Sequence, residues 1–518
     1  MASPLDTTVV NISRWIDKHA RFTPDKVAIR FEGQTISYRD LAQQIEQAAA
    51  MMQTKLGVEH GDRVSILSLN IPEYLITLFA CARIGAIFNP LNWRLAVPEL
   101  LYILEDAESS VLLIEDEFAS VVTPAQQSLP HCQIVGFNFT PANGSRWKEL
   151  LHESENVNTT VKISLDDPLL LVYTSGTTGH PKGALLTQSA LFWNAINSQH
   201  MQDLTAADHV LTCLPLFHVG GLNNQTTPAL HVGATVTLHR RFTPNDVLHT
   251  ISKEGPTLTC LVPATMQACI ASQQWAATDF SRLRANVTGS TIVPGHLSDQ
   301  FRARGVAVLE MYGATETGPI ALYHRPDSDF DKRGSTGLPG LHTEARVVDA
   351  DGKPLVANEE GEILLRGPHI MREYWRDKAA SKAALKDGWF HTGDIGSYDE
   401  DGYYTIKDRK KNMIISGGEN IYAAEVELVL ARHPGVIDCA LIGVPDEQWG
   451  ESPVAVVVCQ AGVDEAALHG FMDGKLARYK LPCAYYFVDE LPKSALGKIQ
   501  HFLVHQIVRT YFSAAQPD

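Results

Sequence analysis

The stretch Leu169-Leu-Leu-Val-Tyr-Thr-Ser-Gly-Thr-Thr-Gly-His-Pro-Lys-Gly183 joins an apolar run to a loop rich in glycine and hydroxyl groups. The apolar part is short and bounded by turn residues, as a buried strand is. The loop after it suits an anion. Gly176 and Gly179 let the backbone bend sharply and bring its N–H groups close to a negative ligand. Thr174, Ser175, Thr177 and Thr178 add hydroxyl donors, and Lys182 adds a point charge suited to phosphate. The pattern is not that of a Walker loop, which needs four residues between its glycines and Lys-Ser/Thr at its end. Here two residues separate the glycines, and Pro181 precedes the lysine. A strand feeding such a loop predicts a phosphate cradle.

Outward from that loop, β-branched runs alternate with helical stretches. Val27–Phe31, Arg63–Leu67, Val111–Ile114, Thr235–Leu238 and Val306–Leu309 read as strands. Ser37, with Asp40 three residues on, caps a helix running towards Leu56, and an amphipathic helix is expected from Pro72 to about Ile84. Such alternation implies parallel sheets covered on both faces. After about Gly337 the character changes. Glu344–Asp349 and Gly361–Arg366 alternate with period two around Asp351-Gly352, which predicts a small antiparallel, barrel-like β unit. A charged stretch, Lys407-Asp-Arg-Lys-Lys411, then precedes a compact βαβ-like tail carrying strands at Cys439–Ile442, Val454–Val458 and Tyr485–Val488. The expected boundary lies at that stretch, giving domains 1–410 and 411–518.

Composition fits this reading and removes others. The 518 residues call for several folding units, and 45% apolar with 20% charged residues is ordinary for a globular enzyme. With 59 acidic against 43 basic residues the formal charge is −16, which argues against nucleic acid or anionic lipid as a partner. An anionic ligand must be held by a local pocket. The eight cysteines are scattered, with no CxxC pair, so buried thiols in a reducing compartment are expected. Met1-Ala-Ser-Pro-Leu-Asp6 has no signal-peptide pattern, and Leu75–Phe88, interrupted by Arg83, is too short to span a membrane. A cytoplasmic enzyme is the expectation.

The loop at Thr174–Gly183 resembles the phosphate-loop signature of the adenylate-forming superfamily, which includes acyl-CoA synthetases, peptide-synthetase adenylation domains and beetle luciferases. The likeness continues in order through Gly61-Asp-Arg-Val64, Arg83-Ile-Gly-Ala86, Pro215-Leu-Phe-His218, Tyr312-Gly-Ala-Thr-Glu316, Trp389-Phe-His-Thr-Gly-Asp394, Asp408-Arg409, Ser416-Gly-Gly-Glu-Asn420 and Gly497-Lys498. It implies a large N-terminal adenylation domain of α/β sheets and a small mobile α+β C-terminal domain, with a hinge at Lys411. It also implies ATP, Mg2+ and coenzyme A as ligands. Glu316 becomes the magnesium ligand, Thr315 and the residues from Thr174 to Gly179 with Lys182 the phosphate contacts, and Tyr312 with Gly313 the platform for adenine, facing Gly289-Ser290. Many relatives carry Gly-Gly-Ala-Pro at that last position. Asp394 and Arg409 are matched to ribose contacts. His218 is matched to the acid pocket beside Gly220-Gly221 and Gly318-Pro319. Lys498 corresponds to the lysine that stabilises charge as a carboxylate attacks the α-phosphate. Gly417, Gly418 and Glu419 lie in the loop expected to meet the pantetheine arm. Gln500-His501 departs from the family's Leu-Lys/Arg pair.

The resemblance leads to a carboxylic acid–CoA ligase for a fatty or aryl acid, acting through an acyl-adenylate. No aspartate near His218 awaits an amino group, and no carrier domain is expected after Asp518. A free-standing enzyme that loads a carrier protein, or a non-catalytic nucleotide-binding homologue, is the alternative. No membrane-spanning segment is expected, and a homodimer stays open.

Overall fold

The computed structural model describes residues 11–152, 162–174, 181–291, 293–327, 332, 334–416, 419–446, 449–494 and 497–514. Two compact units emerge. One comprises the residues up to Glu344 together with Arg366–Phe390; the other comprises Ala345–Leu365 and the residues from His391 on.

The first unit holds two sheets. In one, Ala307–Tyr312, Ala285–Thr288, Leu258–Cys260, His209–Thr212, Thr235–Leu238 and Val27–Phe31 follow each other in parallel. Antiparallel strands Leu322–Tyr323 and Gln34–Ser37 flank them. The other runs in parallel from Pro168–Thr174 through Ile87–Pro90, Arg63–Leu67 and Val111–Ile114 to Gln133–Gly136, with Lys182–Thr187 antiparallel at its other side. Helices cover these sheets, as the alternation required. Leu100, Ile103 and Leu104 of the helix Val97–Asp106 pack on Leu67, Leu112 and Ile114. Leu248, Met266 and Phe301, from three helices, close over Leu211 and Val308.

Local chemistry fixes the helix ends. Ser37 Oγ accepts the Asp40 N–H at 3.1 Å and Asp40 Oδ2 accepts the Ser37 N–H at 3.4 Å, a reciprocal cap on Tyr38–Thr54 worth about 1 kcal/mol. The helix Pro72–Ile84 starts with proline at its first position and is buried nearly all round, unlike the amphipathic helix expected there. Each fully buried Leu or Phe on it, such as Leu78 and Phe79, contributes roughly 1.5–3 kcal/mol. No helix among the described residues is long and apolar enough to cross a membrane.

The expected antiparallel sheet orders Glu344–Val348, Gly361–Arg366 and Trp389–Tyr398, with Tyr404–Arg409 also pairing with Trp389–Tyr398. A second sheet orders Glu419–Tyr422, Met413–Ser416, Gly450–Cys459 and Val436–Asp446, with Ala484–Phe487 parallel to Gly450–Cys459. The tail is therefore a long hairpin joined to one βαβ crossover through Glu465–Met472. Its strands alternate strictly. Cys439, Leu441, Ala455 and Val457 face the helices Ala423–Leu430 and Glu465–Met472, while Ala440, Ile442, Val454 and Val456 face Val504 and Val508 of His501–Ala514. Of the cysteines, Cys459 is half-buried and Cys483 exposed, and the other six are buried.

Candidate active site

In the first unit, Thr174 and Lys182 end and begin an antiparallel pair and stand opposite each other in register. The loop residues Ser175, Gly176, Thr177, Thr178 and Gly179 lie outside the described residues. Lys182 Nζ is 3.4 Å from Asp377 Oδ2 and sits 5.7 Å from the centre of the Tyr374 ring. Tyr374 OH in turn donates to Glu316 Oε1 at 2.8 Å. One tyrosine thus brings together two predicted residues that are far apart in sequence. The short strand Glu373–Tyr374 achieves this by pairing with Lys182–Thr187, Tyr374 opposite Ala184. Sequence reasoning missed Tyr374 and Asp377, because a two-residue strand carries no periodic signal.

Gly289 and Tyr312 lie at the carboxyl ends of neighbouring parallel strands, the usual place for a nucleotide in an open α/β sheet. Backbones approach so closely here that side chains are excluded. A Cβ on Gly289 would stand 2.5 Å from the Met311 carbonyl oxygen, and one on Gly313 would stand 1.7 Å from that of Pro319. Ser290 is exposed and holds φ +75°, a costly conformation for a non-glycine residue. Thr315 is buried and Glu316 half-buried in the 3-10 turn Thr315–Thr317. Gly313→Ala should therefore cost about 1–3 kcal/mol of stability through overpacking and weaken ATP binding with it. Denaturant unfolding and nucleotide titration of the variant check this; unchanged values in both would show that the loop yields freely.

His218 caps a short helical turn, its Nδ1 accepting the Gly220 N–H at 2.9 Å. That bond leaves the ring proton on Nε2. Packing around the ring lowers its pKa to about 4, so the imidazole is neutral near pH 7. A π-helical turn, Leu222–Thr226, follows at once and buries Asn223, Asn224 and Gln225; such turns often mark functional sites.

Four predicted residues meet in the second unit. Arg409 Nε donates to Asp394 Oδ1 at 2.6 Å, the two residues being register partners on adjacent strands. Thr392 Oγ1 holds the Asp394 N–H at 3.0 Å, and Gly393 O holds the Lys410 N–H at 2.8 Å. Lys498 lies within the electrostatic reach of this pair and of Lys411. Burial first, then Arg409, pulls its ammonium down to about 8, against the opposing pull of Asp394. Lys411 itself is exposed in the turn between Tyr404–Arg409 and Met413–Ser416. Glu419 is exposed at the start of its strand, and Gly417 and Gly418 lie outside the described residues.

The donor set fits a nucleotide-borne magnesium ion. Glu316 offers a carboxylate, and magnesium is usually held by one or two carboxylates plus phosphate oxygens. Among the described residues no group of three or more His, Cys, Asp or Glu is arranged to hold a metal unaided.

Comparison with known proteins gives the family. Residues 16–375 match the model of the AMP-binding enzymes, and residues 425–498 match that of the AMP-binding enzyme C-terminal domain. The chain belongs to the AMP-binding enzyme family. It is 47% identical over 502 residues to the indoleacetate–CoA ligase of Aromatoleum aromaticum, covering 96% of this chain and 98% of that protein. It is 40% identical over 490 residues to a feruloyl-CoA synthase of an Amycolatopsis species, covering 94% and 97%. Among solved structures it resembles an anthranilate CoA ligase in complex with anthranoyl-AMP, with a TM-score of 0.88 and 28% identity, covering 96% of this chain and 97% of that one.

Proposed function

We propose that this chain activates an aromatic carboxylic acid, an arylacetate or a hydroxycinnamate, and transfers its acyl group to coenzyme A. The reaction class is that of an ATP-dependent, AMP-forming acid–CoA ligase working through an acyl-adenylate. The observation that carries the substrate class is the end-to-end likeness to ligases named for indoleacetate and ferulate. A half-buried, neutral His218 beside Gly220 is compatible with it, since a flat apolar ring needs room and a site without charge.

The chemistry divides into two displacements. A carboxylate oxygen attacks the α-phosphorus of ATP, the bond to the bridging oxygen breaks, and pyrophosphate departs. The thiolate of coenzyme A then attacks the acyl carbonyl and AMP leaves. Lys182 and the loop hydroxyls are assigned to the outer phosphates, and Asp394 with Arg409 to the ribose. Magnesium, when bound, neutralises phosphate charge. Lys498 supplies positive charge at the α-phosphate as negative charge builds there. His218, with its proton on Nε2, is a neutral donor for the acid's carboxylate.

A panel of arylacetates, hydroxycinnamates and fatty acids, scored by CoA-dependent AMP and pyrophosphate release, tests this. Aromatic acids should turn over fastest, with one AMP per thioester. ADP and phosphate as products would overturn the reaction class, and a preference for long aliphatic acids would overturn the substrate class alone.

A further inference from the structure

His501 opens the C-terminal helix His501–Ala514, three residues after Lys498, at the point where the sequence departs from the resembled family. Its Nε2 donates to Glu427 Oε1 at 2.7 Å. The same oxygen accepts the Leu441 N–H at 2.7 Å, so one carboxylate ties the helix Ala423–Leu430, the strand Val436–Asp446 and the start of the C-terminal helix together. Both side chains are largely shielded, at 16% and 18% exposure. Burial alone would lower the His501 pKa, but the hydrogen bond and charge of Glu427, helped by Asp408, raise it. Lys498 is the cation that opposes its charge, and His505, whose own pKa is lowered by burial first and then by His501, is a neutral neighbour within its electrostatic reach.

Upstream, the segment carrying Lys498 is closed on itself. Ser494 N–H donates to Lys498 O at 2.7 Å, Lys498 N–H to Ser494 Oγ at 3.1 Å, and Gln500 N–H to Pro492 O at 2.9 Å, while Lys493 bridges to Ile499. The loop's N-terminal exit is tied outward by Lys493, whose Nζ stands 2.6 Å from Asp438 Oδ2 on the strand Val436–Asp446, and the loop takes its position from its two exits. Its C-terminal exit is His501, and the next apolar anchor of that helix is Val504, nearly one turn further on. On the opposite side, Asp408 accepts the Ala424 N–H at 2.8 Å. The helix that bears Glu427 is thereby fixed to the strand that ends in Arg409.

We infer that His501 is a positioning residue for Lys498: its bond to Glu427 sets the loop so that the lysine stands beside Arg409 and Asp394. The inference rests on reading Lys498 as the lysine of adenylation. His501→Ala should slow acyl-adenylate formation, measured by pyrophosphate exchange, about tenfold, the typical consequence of losing a hydrogen bond to a charged group. His501→Gln keeps an N–H donor and should recover most of that loss. Thioester formation from supplied acyl-adenylate should change less than twofold in both variants.

A cycle with Lys498→Ala separates this role from simple support of the fold. If His501 acts through the lysine, His501→Ala adds nothing in the Lys498→Ala background. Equal losses in both half-reactions, or losses that multiply in the double variant, would overturn the positioning role and leave the lysine's role standing. Normal pyrophosphate exchange by Lys498→Ala alone would overturn the reading of the lysine, and the inference about His501 with it.

Discussion

Lys498→Ala is expected to slow acyl-adenylate formation by about 10²–10³-fold, the usual loss when one preorganised charge contact is removed from a transition state. Attack by a carboxylate on the α-phosphate brings two anions together, and negative charge then gathers on the phosphorus oxygens. A buried ammonium group already within electrostatic reach of Asp394 and Arg409 meets that charge with little reorganisation. Thioester formation from supplied acyl-adenylate involves no attack at phosphorus, so it should be much less affected. Comparable losses in the two half-reactions would contradict this assignment. The pH profile provides a second check. Because burial and Arg409 bring the lysine to about 8, it sheds its proton as the pH rises through that value. In the free enzyme, kcat/KM for adenylation should therefore fall above about pH 8. Lys498→Arg stays charged throughout, and whatever activity it retains should lack that alkaline limb.

Lys411→Pro should produce the opposite selectivity. One site must serve two displacements, and the lysine required for the first would obstruct the thiol in the second. We propose that the residues after Lys411 rotate between the steps, with Lys411 absorbing the change in φ and ψ. Its setting suits a pivot. Lys410 N–H is held by Gly393 O at 2.8 Å, which secures the upstream side, and Lys411 is exposed in a turn. The Asn412 N–H bond to Arg409 O and the Ala424 N–H bond to Asp408, each 2.8 Å, span the pivot and would break as it turns. Proline fixes φ near −65° and removes the N–H. Thioester formation should drop on the order of 10²-fold, the cost of misplacing reacting groups by about an ångström, while adenylation changes little. Single-turnover measurement of each half-reaction decides the matter; a variant with normal transfer to coenzyme A would exclude Lys411 as the pivot.

The α/β architecture and the class of chemistry were legible because they are written in local signals. Proline at the first position of Pro72–Ile84 and the Ser37–Asp40 cap mark helix starts that the structure reproduces. Val27–Phe31, Arg63–Leu67 and Gly361–Arg366 form as read. The charged stretch from Lys407 opens inside the strand Tyr404–Arg409, because charges that look solvated in a linear reading find partners across the sheet. Lys407 reaches Glu360 at 3.5 Å, and Arg409 reaches Asp394. Helix amphipathicity failed at Pro72–Ile84, whose polar Thr77 turns inward to bond the Glu73 carbonyl at 2.7 Å. Side chains that matter only through a distant partner were invisible. Tyr374 and Asp377 gain meaning from Glu316 and Lys182, and His501 gains it from Glu427, contacts that no spacing rule encodes.

The contact between Lys182 and Asp377 bears on selectivity among phosphates. If ATP takes this lysine, it takes it from a carboxylate, so nucleotide capture at this point is an anion swap and not the filling of an empty positive well. A lone orthophosphate or an acidic metabolite must displace Asp377 with little else to hold it. A nucleotide brings adenine, ribose and three phosphates to the same exchange. On that reading Asp377 would set a small threshold, about 0–1 kcal/mol for so exposed a pair, that a nucleotide's many contacts outweigh more easily than a lone anion's, which suits a chain with a formal charge of −16.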